Sequence, residues 1–513
     1  MSSVNLGKEV ASGAAWTAVS MAGRQIMSIA ALAVLARYVP PSAYGLMGMA
    51  QAVSNFLLLF RDMGTASALV QRRTVDEPLL ASVFWLNVAL GVILTGATAV
   101  VAYPASWFFR EPQLVPVMQV VAFTFLASAL SMVHGALLSR ELRFRRLAVT
   151  ELGGALVGQV CAVSLAVSGF GVWSLVFGNL AAMVGTSTLL WIMRPWRPRS
   201  AASVESMRSI ASYSLNLLGF SIVNYFSRNV DSLVVGRFLG RASLGYYQMA
   251  YTIMMYPIQN VTQVLGRVML PTFARMQDDN ERFRSAYLRV ATVIALITFP
   301  MMLGLMAVVE PFVLTVVGEQ WRPIAPLLLI LCPIGLIQSV QSSVGYIYTA
   351  KGRTDWMFWW SLAAVAVVGP AFLLGLPWGI YGVAGAYAVA TVLLVYPGFA
   401  VPFRLIDFRF RDFLAAFRTV FFCSATMAAG VAASQWSLRQ LGLERPILQL
   451  AIGLAVGLVL YVVLLAWRRP AVLRHLVELM RDSGRERVAA ALERIAPPLD
   501  SAGSAECYSE KRA

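Results

Sequence analysis

Four arginines lie inside stretches of apolar sequence, Arg24, Arg61, Arg228 and Arg267, and they are the residues best placed to do chemistry. An ionised side chain in hydrocarbon costs several kcal/mol unless it faces a wet cavity or a partner. Arg24 is predicted about 12 residues, or roughly 18 Å, from either end of its stretch, too deep to snorkel to an interface, so it is expected to line a cavity. Arg61 has Asp62 beside it. Helical neighbours point about 100° apart, so one of the two faces a lumen and the other a helix, or else Asp62 neutralises Arg24 or Arg61. Arg228 and Asp231 are three residues apart, the spacing of an ion pair on one helix face, structural or ion-coupling in role. Arg267 lies nearer the inner end of its stretch, where it either reaches lipid phosphate or joins Arg24 and Arg61. Three cations facing one low-dielectric cleft fit an anionic ligand.

The elements that must position these charges are membrane helices. With 58% hydrophobic residues, 13% charged residues and a mean hydropathy of +0.70, the chain is far more apolar than a soluble globule. Fourteen stretches are long enough to cross a bilayer: 12–36, 43–70, 78–103, 113–139, 147–168, 170–193, 209–236, 243–272, 286–309, 323–349, 356–376, 379–403, 413–436 and 446–467. The fold class is therefore all-α and polytopic. Placing the N-terminus in the cytoplasm puts 30 of the 41 Lys and Arg on the inside, with Arg289 and Arg418 at the inner ends of their stretches counted there, 7 outside and 4 deeper within the spans, as the positive-inside rule requires. The net charge of +16 then follows from topology and needs no nucleic-acid partner.

The chain also repeats itself. ARYVPPSAYGLMGMA at 36–50 is echoed by GRFLGRASLGYYQMA at 236–250, so that Arg37, Gly45, Met49 and Ala50 recur as Arg237, Gly245, Met249 and Ala250. Pro116, Gly135 and Arg143 recur as Pro326, Gly345 and Arg353, and GFGVWSLV at 169–176 is echoed by GIYGVAGA from 379. Six spans per repeat is an even number, so both halves point the same way and are expected to be related by a pseudo-two-fold along the membrane normal. This gives an N-terminal lobe at 11–200, a second lobe at 207–405, two additional helices at 406–467, and a basic amphipathic helix with a disordered tail at 468–513.

No loop between spans is long enough for a catalytic domain, and two histidines and four unpaired cysteines offer neither a metal cluster nor a redox pair. An enzyme is disfavoured and no cofactor is expected.

The sequence resembles the Wzx-type polysaccharide flippases, within the superfamily that also holds the lipid II flippases and the MATE exporters. The likeness covers most of 11–405 and rests on AYGLMGMAQAV at 43–53, FRDMGTASALVQRR at 60–73, SRELRFRRLA at 139–148, GFGVWSLV at 169–176 and NVDSLVVGRFLG at 229–240. It is nearest to the colanic-acid-exporter branch of lipopolysaccharide biosynthesis proteins. The resemblance implies a protein of the bacterial inner membrane, with both termini cytoplasmic, that moves an undecaprenyl-pyrophosphate-linked oligosaccharide outward by alternating access. It further implies that Arg24, Arg61 and Arg267 hold the pyrophosphate, that membrane lipids surround the prenyl tail, and that a polymerase and chain-length-control proteins are partners. Gln25 stands where an acidic residue would follow the first-span arginine, which puts ion coupling in doubt. The alternatives are a cation-coupled multidrug exporter and a non-transporting component of a polysaccharide assembly complex.

Overall fold

In the computed structural model the described residues are residue 20, residues 23–62, Leu69 and residues 75–199 and 204–468. Side chains are not described at a subset of helical positions, Asp62, Arg228 and Arg267 among them. The expected amphipathic tail beyond Arg468 lies outside the described residues.

The described chain is helical, without strands. Its helices are α1 (residues 23–38), α2 (Pro41–Asp62), α3 (Glu77–Phe109), α4 (Leu114–Arg140), α5 (Phe144–Val167) and α6 (Val172–Met193). One long helical run, Val204–Arg275, breaks at Gly240 (φ 80°) into α7 (204–239) and α8 (241–275). Then follow α9 (Asn280–Ala307), α10 (Ile324–Ala350), α11 (Thr354–Gly375), α12 (Gly379–Phe403), α13 (Phe410–Gln440) and α14 (Pro446–Arg468). Among the described residues ten helical segments are long and apolar enough to cross a membrane, and one of these, Thr354–Ile406, is α11 and α12 together. Adding α1, α7 and α8 recovers the fourteen expected stretches. The chain is a multi-pass membrane protein.

The helices pack as two compact units. The first draws on Met1–Ala250, Val316–Leu327 and Phe358–Ala390; the second on Tyr251–Thr315, Leu328–Met357 and Thr391–Ala513.

In the first unit small residues do the packing, because lipid gives no hydrophobic drive for helices to associate and close approach must supply the contact energy. Gly154 and Gly158 on α5 face α6 so tightly that a Cβ on Gly158 would sit 2.7 Å from the Gly178 carbonyl oxygen. The sequence repeats also meet each other. A Cβ on Gly45 would lie 1.6 Å from the Arg241 carbonyl oxygen, and one on Gly245 would lie 1.9 Å from that of Pro41. Since Pro41 and Arg241 are themselves 200 residues apart, this crossing of α2 and α8 is symmetric residue for residue.

A second device closes the same end. Pro40 has no N–H, so the Ala36 carbonyl at the end of α1 lacks its usual helical donor. The indole Nε1 of Trp321 donates to it at 2.7 Å, and the Gln320 amide donates to it as well. Trp321 is fully buried and packs edge-on against Tyr44 and Tyr246, with ring centroids 5.2 and 5.9 Å away.

The second unit is held by aromatic rings. Phe273, Phe283, Tyr287, Phe399, Phe403, Phe413 and Phe417 form one buried cluster joining α8, α9, α12 and α13. The Tyr287 hydroxyl pairs with Ser343 at 3.2 Å, and Tyr461 on α14 donates to the Leu296 carbonyl at 2.7 Å. Asp279 caps α9 by accepting from the Glu281 and Arg282 backbone N–H groups at 3.1 and 3.0 Å.

The repeat also holds in the turns. Beyond α4, Glu141, Leu142 and Arg143 donate to Leu137, Ser139 and Leu138. Beyond α10, Lys351, Gly352 and Arg353 donate to Ile347, Thr349 and Tyr348, each position 210 residues on. Ahead of α6 the glycines at positive φ are Gly169 (φ 83°) and Gly171 (φ 56°), and Gly379 (φ 65°) opens α12 in the same region.

Candidate substrate site

Arg24 sits in the first turn of the described part of α1, and its guanidinium meets the Glu151 carboxylate of α5 at 3.4 Å. The Ser20 hydroxyl donates to the same Glu151 oxygen at 3.3 Å. Gly23 makes room for this approach, because a Cβ there would touch the Leu152 side chain at 3.0 Å. Neither partner is sealed off: the side chains of Arg24 and Glu151 are 42% and 43% exposed. The arrangement is a weak, reachable ion pair, whose small net energy leaves it open to exchange.

Glu151 is the residue that sequence reasoning missed. Near a span end, where hydration is cheap, it carries no signal of its own; the available clue was that a deep arginine needs a partner. Arg24 pairs with this carboxylate of α5, while the side chain of Asp62, the other neutraliser considered for Arg24 or Arg61, lies outside the described residues.

Arg61, in the last turn of α2, is half-buried and donates to the Ser128 hydroxyl of α4 at 3.2 Å. The Ser128 hydroxyl in turn donates to the Phe125 carbonyl at 2.9 Å, which fixes its lone pairs toward the guanidinium. A neutral hydroxyl leaves the charge of Arg61 uncompensated by this contact. Arg24 and Arg61 are thus anchored by different helices within the first unit, one to a carboxylate and one to a hydroxyl.

The side chains of Asp62, Arg228 and Arg267 lie outside the described residues, although all three positions are helical. Asp231 on α7 is buried; it accepts from the Ser232 backbone N–H at 2.7 Å and has Tyr247 of α8 as a side-chain partner. Next to Arg267, Gly266 abuts Tyr346, whose hydroxyl would lie 2.0 Å from a Cβ at that position. The buried His134 is engaged by the Trp196 carbonyl at 3.1 Å and stacks on Trp191 at 4.3 Å, a packing role. Among the described residues no cluster of His, Cys, Asp and Glu has the makings of a metal site.

Known proteins share this architecture. The fold is similar to that of the lipid II flippase MurJ in an inward closed conformation, with a TM-score of 0.71 over 87% of this chain and 97% of that one at 13% identity. An inward-facing multidrug resistance MATE family transporter gives 0.59 over 75% and 94% at 16% identity. At these identities the likeness is one of fold. In sequence the chain is 28% identical over 378 residues to the lipopolysaccharide biosynthesis protein WzxC of Escherichia coli (strain K12), covering 72% of this chain and 76% of that protein. It is also 28% identical over 481 residues to the succinoglycan biosynthesis transport protein ExoT of Rhizobium meliloti (strain 1021), covering 92% and 96%. The model of the polysaccharide biosynthesis protein family matches residues 34–326, more than half of the chain. The resemblance read from the motifs holds, and the chain belongs to the polysaccharide biosynthesis protein family.

Proposed function

We propose that this protein is a flippase that carries an undecaprenyl-pyrophosphate-linked oligosaccharide across the bacterial inner membrane, for exopolysaccharide or lipopolysaccharide biosynthesis. The observation that carries the reading is the Arg24–Glu151 pair: a membrane-helix arginine held at 3.4 Å by a carboxylate, with both side chains about two-fifths exposed. A pyrophosphate bears more charge than one carboxylate and accepts charge-assisted hydrogen bonds, so it displaces Glu151 from Arg24 and leaves the glutamate to retake the arginine after release. Arg61, held by Ser128 and in no ion pair among the described residues, adds a second cation. Arg267 is included on the family resemblance.

Transport then proceeds by alternating access as residues 11–200 move against 207–405. A cargo with net negative charge is driven outward by an inside-negative potential, worth about 2.3 kcal/mol per charge per 100 mV. Asp62 and Asp231 are the positions for proton or sodium coupling if the potential is not enough. The names of the relatives, in lipopolysaccharide and succinoglycan biosynthesis, support a glycan cargo. Both termini in the cytoplasm, and contacts with a polymerase and chain-length-control proteins, belong to the same reading. A cation-coupled multidrug exporter is the second reading, favoured by the buried carboxylate of Asp231.

The test is flipping of an undecaprenyl-pyrophosphate-linked oligosaccharide in proteoliposomes at matched reconstitution. Arg24→Ala and Arg61→Ala are each expected to slow it about tenfold or more, the loss of one charge-assisted contact. Wild-type activity in both variants sinks the cationic site, and cation-driven drug efflux without lipid flipping transfers the assignment to the exporter.

A further inference from the structure

A second cationic site lies at the far end of α3, away from the arginines discussed above. Tyr103, Ser106, Trp107, Arg110, Pro112 and Arg237 line a hollow of about 470 Å³. Its two arginines come from different helices brought together by close packing. Gly236, just before Arg237, seats α7 against α3, since a Cβ there would lie 2.8 Å from the Phe109 ring.

The neighbouring charges are already spent elsewhere. Glu111 is taken by Arg241 at 3.6 Å, and Arg241 also donates to Gln113 at 2.8 Å. Arg237 lies over the rings of Phe108 and Phe238, 5.7 and 5.8 Å from their centroids, contacts that hold the guanidinium in place while leaving its N–H groups free for an anion. Among the described residues neither Arg110 nor Arg237 makes an ion pair.

Backbone strain marks the same spot. Arg110 caps α3 in the left-handed region (φ 58°, ψ 36°), a position that glycine fills most easily. An arginine kept there costs conformational energy, and such an outlier is grounds for asking what the side chain does. The aromatic collar gives the setting: Tyr103 and Trp107 are 62% and 82% exposed, as rings are at the headgroup level of a bilayer. Arg110 and Arg237 are also two of the seven Lys and Arg that the charge distribution assigns to the outer face.

We infer that Arg110 and Arg237 form a clamp for a lipid-borne phosphate at the outer interface, with Tyr103 and Trp107 flanking the glycerol or prenyl portion. Two guanidiniums supply more than enough donors for one phosphate, and Ser106 adds a hydroxyl at the rim. The site is separate from the Arg24 and Arg61 helices and holds whether or not those residues bind cargo. Its occupant is either an anionic phospholipid of the outer leaflet or the carrier lipid, which share this chemistry.

The experiment is native mass spectrometry of the detergent-purified full chain titrated with phosphatidylglycerol, phosphatidylcholine or undecaprenyl pyrophosphate. It needs no transport, so it stands apart from the flipping assay. Retention of an anionic lipid is expected to fall about tenfold in R110Q/R237Q and to recover in part in R110K/R237K, while Arg439→Gln leaves it unchanged. Loss confined to undecaprenyl pyrophosphate assigns the phosphate to the carrier lipid, and loss of phosphatidylglycerol assigns it to the bulk leaflet. Equal retention by wild type and R110Q/R237Q overturns the site. Should the double variant fold poorly, brominated phosphatidylglycerol or a brominated prenyl phosphate must quench the fluorescence of wild type more than that of Trp107→Phe. Equal quenching of wild type and Trp107→Phe by each brominated lipid overturns the site as well.

Discussion

The turns that close α4 and α10 make the same hydrogen bonds from the same positions 210 residues apart, yet one carries Leu142 at φ 54° and the other Gly352 at φ 67°. A leucine in that region suffers the clash of its Cβ with the neighbouring carbonyl, and glycine does not. Geometry has outlasted residue type here: three backbone donors fix the turn, and the strained copy tolerates roughly 1 kcal/mol of conformational cost because those bonds over-determine it. The other repeat contact behaves oppositely. At Gly45 and Gly245 the residue itself is kept in both copies, because each glycine faces a backbone oxygen that cannot move aside.

These two behaviours can be pulled apart by substitution. The largest effect is expected at the crossing: Gly45→Val or Gly245→Val forces α2 and α8 apart and costs at least about 3 kcal/mol, read as loss of monodisperse protein after extraction. The two losses should match, and a mild effect at one position alone breaks the residue-for-residue symmetry. Next come the turns, where Gly352→Leu should shorten the half-life of the folded protein at elevated temperature by about 1 kcal/mol of stability, while Leu142→Gly leaves it unchanged or lengthens it. Equal and opposite shifts would sharpen the equivalence, and destabilisation by Leu142→Gly would mean that the leucine side chain packs. The smallest change in stability belongs to Glu151→Gln, under about 1 kcal/mol because the pair it breaks is solvent-reachable. The same substitution should tighten binding of a pyrophosphate lipid by removing the competing carboxylate, measurable as a lower Kd; an unchanged Kd would make Glu151 a bystander.

Much of this was legible in advance for one physical reason. A helix in lipid must satisfy its backbone internally and be apolar for about 20 residues, so the spans announce themselves by length alone. The repeat was legible at Gly45 and Gly245 because close packing forbids a side chain there. The positions of breaks were harder to see. Pro300, Pro333, Pro370 and Pro397 each lie within a helix, whereas α4 and α10 are interrupted at Leu130–Ser131 and at 342–344, where no proline stands. For the candidate site, Arg24 and Arg61 stood out because charge in hydrocarbon is costly, but their partners did not. Glu151 and Ser128 lie 127 and 67 residues away in sequence, and which face of α5 or α4 meets them depends on helix rotation, which hydropathy does not encode.

The bond from Trp321 to Ala36 sets an order on how the chain can be made. Pro40 leaves a carbonyl at the end of α1 without its helical donor, and the replacement is synthesised 285 residues later. Until then the α1–α2 corner has to keep that oxygen in water at the interface, so the first two helices cannot seat fully when they leave the ribosome. The corner is finished only after α9 has emerged, which ties completion of the first unit to synthesis well into the second half of the chain.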